Sequence, residues 1–281
     1  MEKHSPTPPY STARAEAPLV DTHAHVYTRH MPLAASAWRH PAGEATFEDY
    51  LAVLDAHGVS FAVLAAASIY GTYNDYTLEA LRASPRLRAT VIADPHASME
   101  QLRQLQAAGV VGIRLQWRNV ADRPDLRAPD YQRLLRRVND LGWHVHIHDD
   151  APRLAAPLQV LEASGVRIVV DHFGRADPAH GVDCAGFQAV LRSVERGRTW
   201  VKLSGGFRLE SPEAAVRYAH ALLRHAGPER LFWGSDWPFV AFESQLRYQD
   251  TIDALAAWVP DPVARHRIGG QTALEFYFTP P

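Results

Sequence analysis

The chain has 281 residues, 29 basic and 31 acidic side chains with a formal net charge of -2, and a hydrophobic fraction of 47%. This length suits two average domains or one large barrel, and the balanced charge gives no overall reason to expect binding to nucleic acid or to anionic membranes. No segment reaches the ~20 consecutive apolar residues that span a bilayer. A single cysteine, Cys184, excludes an internal disulfide framework and suits a reducing compartment, so we expect a cytoplasmic protein.

The N-terminal 18 residues differ in composition from the rest of the chain. They are polar, contain four prolines and lack the apolar stretch of a secretory signal. We therefore predict a flexible arm over residues 1–18 and one folded domain over residues 19–281.

Beyond residue 18, short β-rich runs alternate with longer stretches of helical periodicity. The predicted strands are residues 19–26, 59–66, 87–93, 110–116, 143–148, 166–172, 199–204 and 231–236. The first predicted helix starts at Phe47 and stops at Gly58, and Ser211 is the candidate N-cap of a later one. The other predicted helices are residues 73–83, 98–108, 130–141, 153–163, 186–196, 212–226, 243–258 and 263–278.

This alternation predicts a parallel sheet, because parallel strands are joined through helical crossovers. Eight strand–helix units in roughly 260 residues are typical of a (β/α)8 barrel. The alternative, an open doubly wound sheet, would carry a glycine-rich nucleotide turn after its first strand. Here the corresponding residues are Tyr27-Thr28-Arg29-His30, which contain no glycine. We therefore predict an α/β fold, a single-domain and somewhat distorted TIM barrel.

Polar side chains collect where the predicted strands end, which is where such barrels place their chemistry. The first strand carries His23 and His25, which share one face because side chains alternate along a strand. The eighth strand ends at Asp236, and the fifth and sixth end at His148 and His172. Imidazoles and a distant carboxylate make a site for a metal ion or for acid–base catalysis.

Two further residues on the fifth and sixth strands receive structural interpretations. His146 lies deeper in the barrel than His148, so we interpret it as a core histidine. Asp171 points away from His172 along the strand, so we expect it to cap a helix or to bind backbone.

Arginines and hydroxyl or amide side chains make up the predicted substrate-binding set. Arginine matches carboxylates with a bidentate fork, so we expect a small substrate that bears one or two carboxylates or a sulfonate. The predicted set is Arg114, Arg118, Arg208, Ser68, Tyr70 and Asn74.

At these residues the chain resembles the amidohydrolase superfamily, in particular its amidohydrolase-2 branch and, within it, 2-pyrone-4,6-dicarboxylate lactonases and related lactone hydrolases. The resemblance covers about residues 19–278, and its motifs are specific in combination. They are Asp21-Thr22-His23-Ala24-His25, Ser68-x-Tyr70-Gly71-x-x-Asn74, Gly112-x-Arg114, Asp171-His172-x-Gly174-Arg175, Trp200-Val201-Lys202-Leu203-Ser204-Gly205 with Arg208, Trp233-Gly234-x-Asp236-Trp237-Pro238, and Ile268-Gly269-Gly270-x-x-Ala273-Leu274-x-x-Tyr277.

The resemblance implies a barrel that opens a small anionic lactone, or a related ester or amide, with an activated water. The positions that match the family's catalytic residues are His23, His25, His172 and Asp236. Arg114 and Arg208 match residues that grip substrate carboxylates, whereas Arg118 does not fall at the family's usual second arginine. The dicarboxylate lactonases have a tyrosine at the end of the fifth strand and need no metal, whereas metal-dependent members have a histidine there, as His148 is here.

Two mechanisms therefore stay open. In one, a Zn²⁺ or Mn²⁺ ion is held by a set drawn from His23, His25, His148, His172 and Asp236. In the other, no metal is bound, Asp236 is the general base and the histidines stabilise the oxyanion.

Two other functions and one assembly also stay open. The functions are a metal-dependent decarboxylase of the same superfamily and a non-catalytic barrel that binds small acids. The assembly is a homodimer, for which helices near Tyr218, Leu222 and Trp258 are the candidate face.

Overall fold

The computed structural model describes residues 18–41, 43–120 and 122–279, so the predicted arm falls outside the described residues except for Pro18. Eight parallel strands lie side by side in chain order. They are β1 (Val20–Ala24), β2 (Phe61–Ala65), β3 (Leu87–Val91), β4 (Val110–Gln116), β5 (His144–His148), β6 (Arg167–Val170), β7 (Thr199–Ser204) and β8 (Leu231–Gly234). A parallel bridge between Ala24 and Trp237 joins the first and last strands. The predicted TIM barrel is confirmed.

Helices alternate with the strands, as the periodicity predicts. They are α1 (Phe47–His57), α2 (Asp75–Ala83), α3 (Met99–Ala107), α4 (Pro129–Asp140), α5 (Ala155–Ala163), α6 (Ala185–Glu195), α7 (Pro212–Ala226), α8 (Tyr248–Trp258) and α9 (Pro262–His266). The last predicted helix, residues 263–278, is helical as expected, but beyond α9 it is largely π-helical, over Arg267–Gln271 and Leu274–Phe278. There the buried Gly269 packs close to Pro18, and a methyl group on it would lie 3.0 Å from the proline ring.

Local sequence explains where several of these helices begin and end. Thr46 accepts a hydrogen bond from the backbone of α1, and Gly58 ends that helix with a φ of 73°. Ser98 and Gln101 form a capping box at α3. The predicted N-cap Ser211 accepts from the Ala214 N–H at the start of α7.

Apolar side chains close the lower end of the barrel and leave the polar site to the upper end. Phe276 and Tyr277 of the C-terminal segment pack against Phe232, Val63 and Val169, all buried. This plug closes the barrel opposite the mouth at the C-terminal ends of the strands.

The predicted dimer face is wrong. Tyr218, Leu222 and Trp258 are buried within the chain's own core, and the Trp258 ring lies 4.9 Å from that of Phe173. A homodimer stays a prediction, but it needs a different surface. Among the described residues, no helix is both long enough and apolar enough to cross a membrane.

Candidate active site

A cavity of about 430 Å³ opens at the C-terminal ends of the strands, within the size range of sites for small molecules. Among the predicted site residues, those that line this cavity are His25, Ser68, Arg114, Arg118, His148, His172, Arg208 and Asp236. The structure therefore brings most of the predicted set together at one place.

Three side chains converge at the buried end of this cavity. The Nε2 atoms of His23 and His25 lie 3.3 Å apart. Asp236 Oδ1 lies 3.7 Å from His23 Nε2 and 3.6 Å from His25 Nε2. Closure of the barrel produces this arrangement, because the Asp236 N–H donates to the carbonyl of His23 at 2.8 Å.

Burial keeps these imidazoles neutral. It lowers the pKa of His25 to about 4 and that of His23 well below its ordinary value, although nearby carboxylates oppose the shift. The Ala65 carbonyl, which only accepts, faces His25 Nδ1 at 2.7 Å. The His25 ring proton therefore lies on Nδ1, and its Nε2 lone pair faces the cavity.

Asp236 is ionised despite being buried. Burial raises the pKa of its carboxyl, but Arg208, His172, His23 and His25 together hold it well below the usual range. Arg208 Nε donates to Asp236 Oδ2 at 2.6 Å, which leaves Oδ1 facing the two imidazoles.

This donor set fits a divalent metal ion. One carboxylate oxygen and two imidazole nitrogens, all within 4.8 Å of one another, are ligands that zinc accepts, with the fourth position left for water or substrate. His25 also has the outer hydrogen bond to a carbonyl that metal-ligating histidines usually make.

His148 and His172 form a second group with Asp171, in which the three side chains again offer atoms within 4.8 Å of one another. The His148 and His172 rings are 4.7 Å apart. Neither ring nitrogen of His148 has a hydrogen-bond partner among the described residues, whereas His172 Nδ1 lies 2.9 Å from Ser204 Oγ. The five predicted metal ligands are thus divided between two neighbouring groups.

Backbone strain accompanies these strand ends. His172 and Asp236 have φ values of 48° and 65°, in the left-handed region that side chains seldom adopt. Gly205 makes room for both, because a methyl group there would lie 2.8 Å from His172 Nδ1 and 3.1 Å from Asp236 Oδ2.

The interpretation of Asp171 as a helix cap or backbone partner is wrong. Its buried carboxylate accepts from Arg114 Nη2 at 2.8 Å, lies 3.1 Å from His23 Nδ1 and contacts His146 Nε2. His146 is buried below the cavity, as expected of a core histidine. Asp171 therefore connects several of the predicted site residues.

Lys202 is a further charged group inside the barrel that the predicted site does not include. It is fully buried, donates to the Thr22 carbonyl at 2.5 Å and lies 3.5 Å from His23 Nδ1. Burial lowers the pKa of its amine to about 7, although Asp171 opposes the shift. Its place on the same face of β7 as Ser204, two residues nearer the barrel's lower end, is the sequence signal that points to it.

The three predicted arginines at the cavity differ in burial and in the groups that their guanidinium groups contact. Arg114 is almost fully buried and donates through Nη1 to the Ala66 carbonyl at 2.6 Å. Arg208 donates to the Val240 carbonyl at 2.9 Å as well as to Asp236. Arg118 lies at the exposed rim, 3.4 Å from the carboxylate of Asp150.

Two arginines that line the cavity, Arg39 and Arg175, fall outside the predicted set. Arg175 donates to Asp150 at 2.8 Å and lines the cavity. Its position directly after Gly174, beyond the end of β6, is a sequence signal that could have identified it.

Two predicted substrate-binding residues lie away from the main cavity. Ser68–Tyr70 form a short 3₁₀ turn after β2, and of these residues Tyr70 faces a separate space of about 10 Å³. Asn74 lines the same small space and donates to the carbonyls of Thr72 and Ile92. Ser68 lines the main cavity.

The fold and the site together define a class of protein, the parallel-barrel enzymes that carry a histidine pair from the first strand and an aspartate from the last at the barrel mouth. The chain belongs to the amidohydrolase family: the sequence model described as "Amidohydrolase" matches residues 20–279. It is 31% identical over 259 residues to a 4-sulfomuconolactone hydrolase from Rhizobium radiobacter, with 88% of this chain and 86% of that protein covered.

Solved structures show the same similarity. A putative 2-pyrone-4,6-dicarboxylic acid hydrolase from Pseudomonas putida is 35% identical, with a TM-score of 0.86 and coverage of 93% of this chain and 97% of that one. A probable enzyme of the same description from Acinetobacter baumannii, with citric acid bound, is 31% identical, with a TM-score of 0.88 and coverage of 93% and 99%. These relatives favour a hydrolase over the decarboxylase and over the non-catalytic binding barrel.

Proposed function

We propose that this enzyme opens a small anionic lactone by attack of an activated water. The observation that carries the proposal is the convergence of His23, His25 and Asp236 beneath a cavity lined by arginines. The similar enzymes described above are named for substrates that bear sulfonate or carboxylate groups, and the arginines here suit the same anions.

In the proposed reaction, Asp236 accepts the proton of the attacking water, and the lactone carbonyl lies against the imidazoles. Arg208 holds the substrate anion beside Asp236. Because Arg208 also donates to Asp236 Oδ2, a substrate anion competes with the catalytic carboxylate for the same guanidinium. Binding of the anion thus acts directly on the group that takes the proton.

We also propose one divalent ion, zinc or manganese, held by His23, His25 and Asp236. When bound, such an ion polarises a carbonyl and lowers the pKa of a ligated water towards ~7. His148 and His172, which belong to the second group, lie close enough to the cavity to contact the substrate or to complete the coordination. The cytoplasm is the proposed location.

Metal analysis of the purified enzyme, combined with lactone assays before and after chelation, tests this proposal. We expect about one equivalent of zinc or manganese, turnover of carboxylate- or sulfonate-bearing lactones to the ring-opened hydroxy or keto acid, and loss of turnover on chelation that metal addition restores. Full activity without metal would contradict the metal site. Carbon dioxide as the product, or binding without turnover across the panel, would contradict lactone hydrolysis.

A further inference from the structure

We propose that Asp171 is a positioning residue that sets the orientation and the protonated nitrogen of His23 and at the same time restrains Arg114. The proposal deepens the function proposed above and rests on it for its kinetic part. It concerns a carboxylate that contacts both His23 and Arg114.

The first step is the location of Asp171. It follows β6 directly, its side chain is fully buried, and its backbone N–H donates to the Ile147 carbonyl at 3.0 Å. Its carboxylate forms a buried ion pair with Arg114, in which Nη2 and Oδ2 lie 2.8 Å apart. The group is therefore held in a fixed position beneath the cavity.

The second step concerns His23. Asp171 Oδ1 lies 3.1 Å from His23 Nδ1, whereas the amine of Lys202, a competing donor, is 3.5 Å from the same nitrogen. The nearer carboxylate favours the proton on Nδ1. The Nε2 lone pair of His23 then faces His25 Nε2 and Asp236 Oδ1, as either metal binding or acceptance of a proton requires.

The third step concerns Arg114. Asp171 Oδ2 accepts from Arg114 Nη2 at 2.8 Å, and the Ala66 carbonyl accepts from Nη1 at 2.6 Å. These two contacts fix the plane of the guanidinium against the cavity wall. The carboxylate also offsets part of its charge, so Asp171 orients Arg114 while weakening its attraction for a substrate anion.

The decisive variant is Asp171→Asn, because an amide has one acceptor oxygen and cannot maintain the contacts to both His23 and Arg114. An amide N–H opposite His23 Nδ1 moves the ring proton to Nε2. We expect kcat to fall about 10- to 100-fold, the range seen when outer partners of site histidines are removed. KM for an anionic lactone should not rise, because Arg114 loses a competing carboxylate.

Asp149→Asn is the matched control. Asp149 is equally buried and ion-paired, with Arg123 at 2.6 Å and with Arg153, but it does not line the cavity. If Asp171→Asn acted only by neutralising a buried carboxylate, both variants would have a lower melting temperature. The protonated ring nitrogen of His23 would then be the same in both.

Nitrogen-15 NMR of the histidine rings in metal-free protein gives a readout that does not depend on turnover. The His23 signals are assigned by their loss in His23→Gln. We expect a protonated Nδ1 in the wild type and in Asp149→Asn, and a protonated or exchanging Nε2 in Asp171→Asn.

Three results would overturn the inference: a protonated Nε2 in wild-type His23, an unchanged His23 signal in Asp171→Asn, or a fall in kcat that Asp149→Asn shows equally. The wild-type spectrum tests the claim even where Asp171→Asn does not fold. If the wild type hydrolyses no lactone, the proposed function fails while the NMR result still decides the role of Asp171.

Discussion

Individual side chains at the cavity perform two tasks at once. Arg208 is partly exposed and donates both to Asp236 and to the Val240 carbonyl. It therefore orients the carboxylate that we propose as the general base and presents a positive charge to the cavity. Replacing Arg208 should therefore raise KM for anionic substrates more than KM for neutral ones. This difference should be larger than the one caused by replacing a buried histidine.

Arg208→Met should raise KM for a carboxylate-bearing lactone about 10- to 100-fold, because a hydrogen bond to a charged group is worth about 1.5–3 kcal/mol. The rise for an uncharged lactone should be much smaller. Arg86→Met is the control, since Arg86 likewise donates to a carboxylate, that of Asp55, and to the Ser60 carbonyl, but does not line the cavity. KM is measured from initial rates. An equal rise in KM for charged and uncharged lactones would contradict the proposal that Arg208 binds the substrate anion.

The direction of a side chain inside a regular strand was predictable, whereas the contacts of Asp171 beyond a strand end were not. His23 lies inside β1, so the alternation of side chains predicts its inward direction. Asp171 and His172 follow β6, whose last residue is Val170, and His172 already has a left-handed φ. Alternation no longer applies there, which is why the contacts of Asp171 were missed.

At the scale of elements, the contact between α6 and the turn after β5 is unusually close. Gly186 near the start of α6 faces the backbone of Ala151 in the 3₁₀ turn Ala151–Arg153. A methyl group on Gly186 would lie 1.8 Å from the carbonyl oxygen of Ala151. The methyl group would be attached directly to the backbone at Gly186, and the oxygen belongs to the backbone of Ala151. No side-chain rotation can therefore relieve the clash.

Gly186→Ala should therefore lower the free energy of unfolding by about 1–3 kcal/mol or more, measured by urea denaturation. Gly43→Ala is the matched control, because a methyl group at Gly43 would have no neighbour within 4 Å. Equal stability of the two variants would show that the turn and α6 do not pack as described.

The order of the elements was predictable because hydrophobic periodicity and turn residues mark each of them, as Gly58 and Ser98 do for α1 and α3. Deviations from regular geometry were not predictable. The 3₁₀ turn Ser68–Tyr70 directs Tyr70 away from the main cavity, and the end of the chain is π-helical where Gly269 packs close to Pro18. Neither feature leaves a periodic signal.

At the scale of the whole molecule, the barrel interior contains several neutral histidines, and this links folding to pH. Burial lowers the pKa of His25 and His172 to about 4 and the pKa of His23, His144 and His146 well below the ordinary value. In the unfolded chain these histidines have their ordinary pKa near 6.5. Below that pH the unfolded chain therefore binds more protons than the folded protein. Stability must decrease as pH falls.

For metal-free protein we expect the free energy of unfolding to fall as pH drops from about 6.5 towards 4, with a slope of about 1.4 kcal/mol per pH unit for each histidine that titrates only on unfolding. His144→Leu should reduce this slope, because His144 is buried near Phe276 and Tyr277, away from the cavity. A stability that stays constant over this range would mean that the histidines are not buried as neutral rings.

The central claim is that the site formed where the barrel closes activates water through Asp236. The most direct test compares lactone hydrolysis by the wild type, Asp236→Asn and the buried-carboxylate control Asp149→Asn, with folding checked by circular dichroism. We predict that Asp236→Asn loses about 100- to 10,000-fold in kcat, as expected for a general base, while Asp149→Asn retains activity. Near-normal turnover by Asp236→Asn would contradict the claim.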